Sequence, residues 1–191
     1  MELAERVVLV TGAARRVGRA IARRLAQAGC RVAAHYHTSA GDALETAAEC
    51  RAAGAAAEVF DADLADPPAV AQLVPRVLAH FGRLDVLINN ASVFEPMTFE
   101  QFDLADWERT LRINLTAPLA LAHAARGALR QSRGRIVNLC DAATGQAWPD
   151  HLAYIVSKAA LETLTRVLAR ALAPEINVVG VPRRGGLARQ L

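Results

Sequence analysis

The sequence predicts a doubly wound α/β fold, in which a mostly parallel sheet carries helices on both faces. Short apolar runs rich in β-branched residues alternate with longer segments whose apolar residues recur at helical spacing. Hydrophobic residues make up 53% of the chain and many are alanine, as expected of buried strands under alanine-rich helices. A glycine-containing turn joins the first strand to the first helix. The 191 residues are expected to form one domain, residues 1–191.

Six strands and six helices are predicted, alternating except where two helices follow the fourth strand. Gly12 breaks the first strand, and Gly29 stops the first helix. Pro67 and Pro68 open the third helix, where proline is tolerated in the first turn. The predicted strands are residues 6–10, 31–36, 56–60, 85–89, 135–139 and 176–181. The predicted helices are residues 17–28, 40–53, 67–80, 105–114, 117–131 and 154–173. Ligands of such a sheet bind at the carboxyl ends of its strands.

Composition narrows the class of protein. The formal charge is only +3 and the basic residues are scattered, so binding of nucleic acid is not favoured. Three cysteines, odd in number and without metal-ligand spacing, predict free thiols in a reducing compartment and no metal site. The first strand begins near Arg6, which leaves no room for a signal peptide, and no apolar run is long enough to span a bilayer. A cytoplasmic protein is expected.

The turn after the first strand has features of a phosphate-binding loop. It runs from Thr11 to Gly18 and contains two glycines, which allow backbone N–H groups and a helix N-terminus to approach a pyrophosphate. The match to a dinucleotide-binding fingerprint is weak, and an ordinary strand-to-helix turn remains the alternative. Its place after the first strand of this fold favours a bound dinucleotide.

The end of the second strand indicates which dinucleotide. NAD enzymes of this architecture usually carry an acid there to bind the adenosine ribose, but residues 35–39 read His-Tyr-His-Thr-Ser. A carboxylate would repel a 2′-phosphate, whereas imidazoles, hydroxyls and the nearby Arg16 could bind it. We therefore expect NADPH rather than NADH, with an ordinary polar turn as the alternative.

Two further strand ends fit a cofactor site. Asp63 and Leu64 follow the third strand, where Asp63 could bind the adenine amino group or act as a turn residue. Asn90 and Ala91 follow the fourth strand, where amide and small side chains would line the path of the cofactor.

A carboxylate, a phenol and an ammonium lie between the fifth strand and the last long helix. Tyr154 and Lys158 are four residues apart and therefore share one face of a helix. An ammonium beside a phenol stabilises the phenolate, which makes a tyrosine usable as a general acid. Asp141 ends the fifth strand, thirteen residues before the tyrosine. A Tyr-x-x-x-Lys pair alone is also common on surface helices.

Taken together, these motifs make the chain resemble the short-chain dehydrogenase/reductase family over nearly its whole length, and this implies a Rossmann-like fold. The motifs that carry the resemblance are Gly12 and Gly18 of the loop, Asp63, Leu64, Asn89, Asn90, Ala91, Asn114, Tyr154 and Lys158.

Departures from the family pattern indicate a subfamily. Arg16 stands where the family usually has a loop glycine, and Asp141 stands where it has its catalytic serine. With Ser92, Phe94 and the His-Tyr-His segment, this combination resembles the pteridine reductases and the related dihydromonapterin and dihydrofolate reductases. In that group an arginine usually follows the second histidine; here it is Thr38, which weakens the case for phosphate binding at that end.

The chemistry of Asp141 fits this interpretation. A carboxylate in place of the serine would repel the alkoxide that forms when a ketone is reduced. Reduction of a pterin or folate C=N bond instead requires a proton on nitrogen, which an Asp141–Tyr154 relay is expected to deliver while Lys158 holds the tyrosine and the nicotinamide ribose. The resemblance further implies that Phe94 stacks on the pterin, that Ser92 and Arg16 bind pterin and cofactor, and that Asn114 holds a kink and a water. The expected cofactor contacts are Gly12, Arg16, Val17, Gly18, Tyr36, His37, Ser39, Asp63, Leu64, Asn90, Ala91, Ser92, Tyr154 and Lys158.

Structural alternatives remain for these positions. Asp141 could cap a turn, Phe94 could belong to the core, Asn114 could end a helix, and Arg16 could be a solvated loop cation. His80, His123 and His151 have no evident partners and are interpreted as structural or surface residues, whereas Trp148 is near enough to the site to touch substrate.

The C-terminus departs from the family. Its members are longer, and the chain after Val181 is rich in arginine and glycine instead of continuing into a final strand and substrate lid, so we expect a C-terminally short fold. Two alternatives to the pterin reductase follow: a carbonyl or other imine reductase of the family, and a truncated, non-catalytic dinucleotide-binding module. The resemblance also implies a homodimer or homotetramer through the helices at residues 117–131 and 154–173.

Overall fold

The structure, a computed structural model, describes residues 3–183. Six parallel strands form one sheet in the order β3-β2-β1-β4-β5-β6, so the chain reverses its direction of winding between β1 and β4. The strands are β1 (Val7–Val10), β2 (Arg31–Tyr36), β3 (Ala57–Asp61), β4 (Val86–Asn89), β5 (Arg135–Asp141) and β6 (Asn177–Arg183). Such a reversal opens a crevice at the carboxyl ends of the strands on either side of it.

Helices cover both faces of this sheet. They are α1 (Arg16–Gln27), α2 (Ala40–Ala52), α3 (Pro67–Phe81), α4 (Leu104–Leu111), α5 (Ala117–Ser132) and α6 (Leu152–Ala171). Because side chains alternate along a strand, Val7 and Leu9 of β1 pack in the core beneath α3 and α5, whereas Val8 and Val10 pack in the core beneath α1 and α2. The prediction of a doubly wound α/β fold with helices on both faces is confirmed.

Most element boundaries differ from the predictions by one to three residues, and three of these differences bear on the site. The two helices predicted at residues 105–114 and 117–131 are joined by a π-helical turn, Arg112–Thr116, because Pro118 has no N–H to donate to the Asn114 carbonyl. Strand β5 continues to Asp141, two residues beyond its predicted end, because it pairs with β6 as far as Asp141 and Arg183. Helix α6 begins at Leu152 rather than at Tyr154.

The part of the chain after Arg183, on which the expectation of an unusual C-terminal tail partly rests, lies outside the described residues. Within residues 3–183, no helix is long and apolar enough to cross a membrane, and no group of three or more His, Cys, Asp or Glu side chains could hold a metal ion. The three cysteines are buried and form no disulfide.

Candidate active site

A cleft lies at the carboxyl ends of the strands, where the winding reverses. Its volume is about 630 Å³. Most of the predicted site residues line it, and they are Gly12, Arg16, Val17, Gly18, His37, Asp63, Leu64, Asn90, Ala91, Ser92, Phe94, Asp141 and Tyr154. The four crossovers between β1 and β5 thus bring together residues that are up to 142 positions apart in the sequence.

The loop before α1 is packed too tightly for side chains at its glycines. Gly12 has a φ of +64°, and a Cβ on Gly18 would lie 2.0 Å from the Gly12 carbonyl oxygen. The Asn90 amide nitrogen donates to the carbonyls of Thr11 (2.8 Å) and Gly12 (3.1 Å), which fixes the loop against the end of β4. Helix α1 has no side-chain cap and no acidic residue in its first turn, and its first three residues line the cleft, so this helix N-terminus is suited to an anion.

The backbone of Arg16 is strained. Its φ is +48°, in the left-handed region that glycine adopts most readily. This explains why the family's usual residue there is glycine. Here the strained backbone places an exposed guanidinium at the N-terminus of α1, where it lines the cleft.

His35 supports the loop from below rather than binding a ligand. Its Nδ1 accepts a hydrogen bond from the Gly12 N–H (3.1 Å), and its Nε2 lies 3.0 Å from the Ala62 carbonyl oxygen. Both contacts are satisfied by a neutral ring protonated on Nε2. Burial lowers the pKa of His35 to about 4. The expectation that this imidazole would help to bind a phosphate is therefore wrong, because the ring is buried and uncharged.

The predicted cofactor residues that follow β2 and β3 differ in whether they line the cleft. His37 lines the cleft, with its Nε2 3.8 Å from the Asp63 carboxylate. The Asp63 Oδ1 also accepts from the Ala65 N–H (2.8 Å), so Asp63 is a turn residue whose other oxygen is available. Tyr36 and Ser39 do not line the cleft; their assignment to the cofactor stays a prediction.

Asp141 and Tyr154 line the cleft, and Lys158 is buried next to them without lining it. The Tyr154 hydroxyl donates to Asp141 Oδ2 at 2.5 Å, and Asp141 Oδ1 accepts from the Ala143 N–H at 2.8 Å. The Lys158 ammonium donates to the Leu139 carbonyl (2.9 Å) and lies 6.0 Å from the centre of the Tyr154 ring. All three side chains are at least 96% buried. The pairing of phenol and carboxylate inferred from the sequence is thus present in the geometry.

Asn114 connects the π-helical turn to this group. Its amide accepts from the Val93 N–H (2.9 Å) and donates to the Val93 carbonyl (3.0 Å) and to the Ser157 hydroxyl (3.0 Å). Ser157 in turn donates to the Tyr154 carbonyl (2.7 Å). Asn114 is fully buried and sits inside the turn rather than at a helix end, so the alternative of a helix-terminal residue does not hold.

Phe94 stands beside the catalytic candidates with 44% of its surface exposed, so it is not a core residue. Its ring meets Tyr154 edge-on, with the centroids 4.6 Å apart. His151 stacks on it and Trp148 meets it edge-on.

Several residues that line the cleft were not predicted from the sequence. Arg109 and Ile113 line the cleft from α4 and the π-helical turn, and Val93 lines it between Ser92 and Phe94. The four-residue spacing of Arg109 and Ile113 was the available signal, since it puts both on one helical face. Arg15 also lines the cleft, but it is paired with Asp42 at 2.6 Å.

A comparison with protein families identifies this architecture. The sequence profile of the short chain dehydrogenase family matches residues 6–183. The chain belongs to the short chain dehydrogenase family. The matched residues, 6–183, include every strand, helix and site residue described above.

Individual relatives differ in their substrates. Hydroxynaphthalene reductase arp2 of Aspergillus fumigatus is 36% identical over 169 residues, which cover 88% of this chain and 62% of that protein. The 3-oxoacyl-(acyl-carrier-protein) reductase of Synechocystis is 33% identical over 190 residues, covering 99% of this chain and 77% of that protein. The chain therefore spans less than two thirds of the first of these relatives.

A solved structure gives a similar result at the level of the fold. The FolM alternative dihydrofolate reductase 1 of Brucella canis, complexed with NADP, superposes with a TM-score of 0.89 at 37% sequence identity. The match covers 95% of this chain and 74% of that one. The names of the relatives show the family but no common substrate.

Proposed function

We propose that the chain is an NADPH-dependent reductase that acts on the C=N bond of a dihydropterin or dihydrofolate. The observation that carries the proposal is the buried hydrogen bond between Tyr154 and Asp141, in the position where a carbonyl-reducing relative would have a serine. The likeness to an alternative dihydrofolate reductase supports it.

The residues present fit NADPH. The glycine loop and the uncapped N-terminus of α1 suit a pyrophosphate, and Arg16 and His37 suit a further phosphate. The buried Oδ1 of Asn90 has no hydrogen-bond partner within residues 3–183, so a donor from a bound ribose would satisfy it. The solved relative named above was complexed with NADP.

The proposed chemistry uses the far end of the cleft. When bound in this cleft, NADPH would be the source of the hydride for the carbon of the C=N bond. The nitrogen of that bond would then gain a proton from the Tyr154 hydroxyl, which donates a hydrogen bond to Asp141. Lys158 is fixed on the Leu139 carbonyl, so its charge stays beside the phenol as the proton leaves. Ser92 and Phe94 line the space where the substrate ring would lie.

A carbonyl reductase is the second candidate. The similarity to a 3-oxoacyl reductase favours it, since that name denotes a ketone substrate. Against it stands Asp141, because a carboxylate opposes the negative charge that develops on the oxygen of a ketone. The third candidate is a non-catalytic dinucleotide-binding module. It is considered because the chain spans only 62% of the hydroxynaphthalene reductase. The intact Asp141, Tyr154 and Lys158 argue against it.

The test is a comparison of substrates on the purified chain. NADPH oxidation is followed with a 7,8-dihydropterin, with dihydrofolate and with an open-chain ketone. We expect turnover of the pterin or folate and little of the ketone. Turnover of the ketone alone would support the carbonyl reductase, and NADPH binding without any turnover would support the module.

We further propose that the 191 residues act as one domain in a homodimer or homotetramer. Exposed apolar side chains on α5 and α6, such as Leu119, Val156 and Val167, provide a surface suited to pairing of these helices. Sedimentation of the purified chain tests this proposal, and a monomer would contradict it.

A further inference from the structure

Two aromatic side chains, His151 and Trp148, pack against Phe94. The His151 ring lies on Phe94 with the centroids 4.1 Å apart and the planes inclined by only 17°, which is a stacked arrangement. Trp148 meets both rings edge-on, at 6.3 Å and 6.1 Å. Phe94 lines the cleft, whereas His151 and Trp148 do not. One face of the Phe94 ring is therefore covered by His151, from outside the cleft lining.

The backbone fixes His151 in this position. The Met97 N–H donates to the Asp150 carbonyl (2.8 Å), and the Leu152 N–H donates to the Met97 carbonyl (3.1 Å). These two bonds form a parallel bridge between Met97 and His151. They join the segment after β4, which carries Phe94, to the start of α6, which carries Tyr154. The stack thus spans the two segments that form the substrate side of the cleft.

The polar atoms of His151 do not explain its placement. Its Nδ1 is buried and makes no hydrogen bond within residues 3–183. The nearest carboxylate oxygen, on Asp150, is 3.4 Å away but is not aligned for a hydrogen bond. A histidine kept for structural bonding would normally satisfy a buried nitrogen. The contact that this side chain does make well is the one between its face and Phe94.

We propose that His151 is a positioning residue that directs a planar substrate ring onto the free face of Phe94. The proposal rests on the proposed function, in which the substrate is a pterin. His151 covers one face of Phe94, yet Phe94 is 44% exposed and lines the cleft, so the part of its ring that His151 leaves uncovered is open to the cleft. A flat ring stacked there lies next to the Tyr154 hydroxyl. The stack therefore selects planar rings over open-chain substrates.

The experiment measures binding of biopterin, an oxidised pterin, to the full chain saturated with NADP⁺, by quenching of pterin fluorescence. His151→Ala and His151→Leu are expected to raise the dissociation constant about tenfold, the loss expected from one aromatic stack. His151→Phe keeps the stack and should restore the parent value to within about twofold. Gln72→Ala, on the exposed face of α3, is the control and should change nothing. Affinity for NADP⁺ should be the same in all variants.

A second measurement separates this proposal from the proposed function. For each variant, KM is compared for a 7,8-dihydropterin and for an open-chain ketone, and only the pterin value should rise. If the parent turns over no pterin, the proposed function fails, and the dissociation constants of biopterin and of a planar bicyclic ketone still decide the stacking. Equal losses for planar and open-chain compounds, failure of His151→Phe to rescue, or absence of planar-ring binding by the parent would each overturn the proposal.

Discussion

The side chain of Asn114 holds the backbone of Val93 from both sides, because it accepts from the Val93 N–H and donates to the Val93 carbonyl. A third hydrogen bond from the same amide reaches Ser157, one turn of α6 beyond Tyr154. The π-helical turn places the Asn114 side chain where it makes all three bonds. It thereby sets the distance between the segment that carries Phe94 and the helix that carries Tyr154.

Replacement of Asn114 should therefore damage both stability and catalysis. Asn114→Ala removes both hydrogen bonds that the amide makes to the part-buried backbone of Val93, at roughly 1 kcal/mol for each. We expect the free energy of unfolding to fall by at least about 2 kcal/mol, and kcat to fall together with a rise in KM. Urea denaturation and steady-state kinetics measure these changes. The control is Asn177→Ala at the exposed start of β6, which should change stability and kinetics little. If Asn114→Ala had an effect as small as that of the control, the role assigned to Asn114 would be wrong.

Asp141→Ser tests the reaction itself. The serine removes the carboxylate that accepts a hydrogen bond from Tyr154, so pterin or folate turnover should fall by about 10²-fold or more, the usual contribution of general acid–base catalysis. Turnover of an open-chain ketone should stay level or rise, because a hydroxyl donates to a developing alkoxide. The dissociation constant for NADPH should not change. Unaltered pterin turnover would remove Asp141 from the mechanism.

The glycine loop predicts a large difference between two similar substitutions. In Gly18→Ala the new methyl group would collide with the Gly12 carbonyl oxygen, so we expect a loss of about 1–3 kcal/mol or more in the free energy of unfolding, with NADPH binding impaired. In Gly41→Ala, within α2, nothing lies within 4 Å of the new atom, and a gain of about 0.5–1 kcal/mol is expected from helix propensity. Similar effects at both positions would show that the loop is not as tightly packed as described.

His35 should make stability depend on pH. Its pKa is lowered from 6.5 to about 4 in the folded chain, so the unfolded chain binds the extra proton first as pH falls. The stabilisation is complete above pH 6.5 and is lost toward pH 4, with about 2 kcal/mol lost between pH 7 and pH 5. His35→Gln should flatten this slope, whatever it does to stability at pH 7. Parallel slopes for parent and variant, measured by urea denaturation, would contradict the assignment.

Arg16 predicts a difference between the two nicotinamide cofactors. If its guanidinium binds the 2′-phosphate, Arg16→Gln should weaken NADPH binding by about tenfold or more while NADH binding changes little. Arg24→Gln, on the exposed last turn of the same helix, is the control. Calorimetric titration with both cofactors measures the ratio. Equal losses for both cofactors would assign Arg16 to the pyrophosphate instead.

Local sequence determined most of the fold. The β-branched runs, the helical spacing and the terminating glycines and prolines act over a few residues, so the order of strands and helices followed from the chain alone. The spacing of Tyr154 and Lys158 also followed directly, because a helix places residues four apart on one face. Elements departed from prediction where a distant partner intervened, as when pairing with β6 extended β5 to Asp141.

The tertiary structure decided which polar residues reach the cleft and which are buried beneath it. His35 and His37 are two residues apart and looked equivalent, and both border the cleft. The buried His35 ring uses both of its nitrogens on the backbone of Gly12 and Ala62, whereas His37 is about half exposed. His151 had no evident partner until the segment after β4 was placed against α6. Such contacts join residues far apart in the chain, and they depend on how strands cross and helices pack. Composition and spacing fix only local conformation, whereas the roles of these side chains depend on neighbours that folding brings to them.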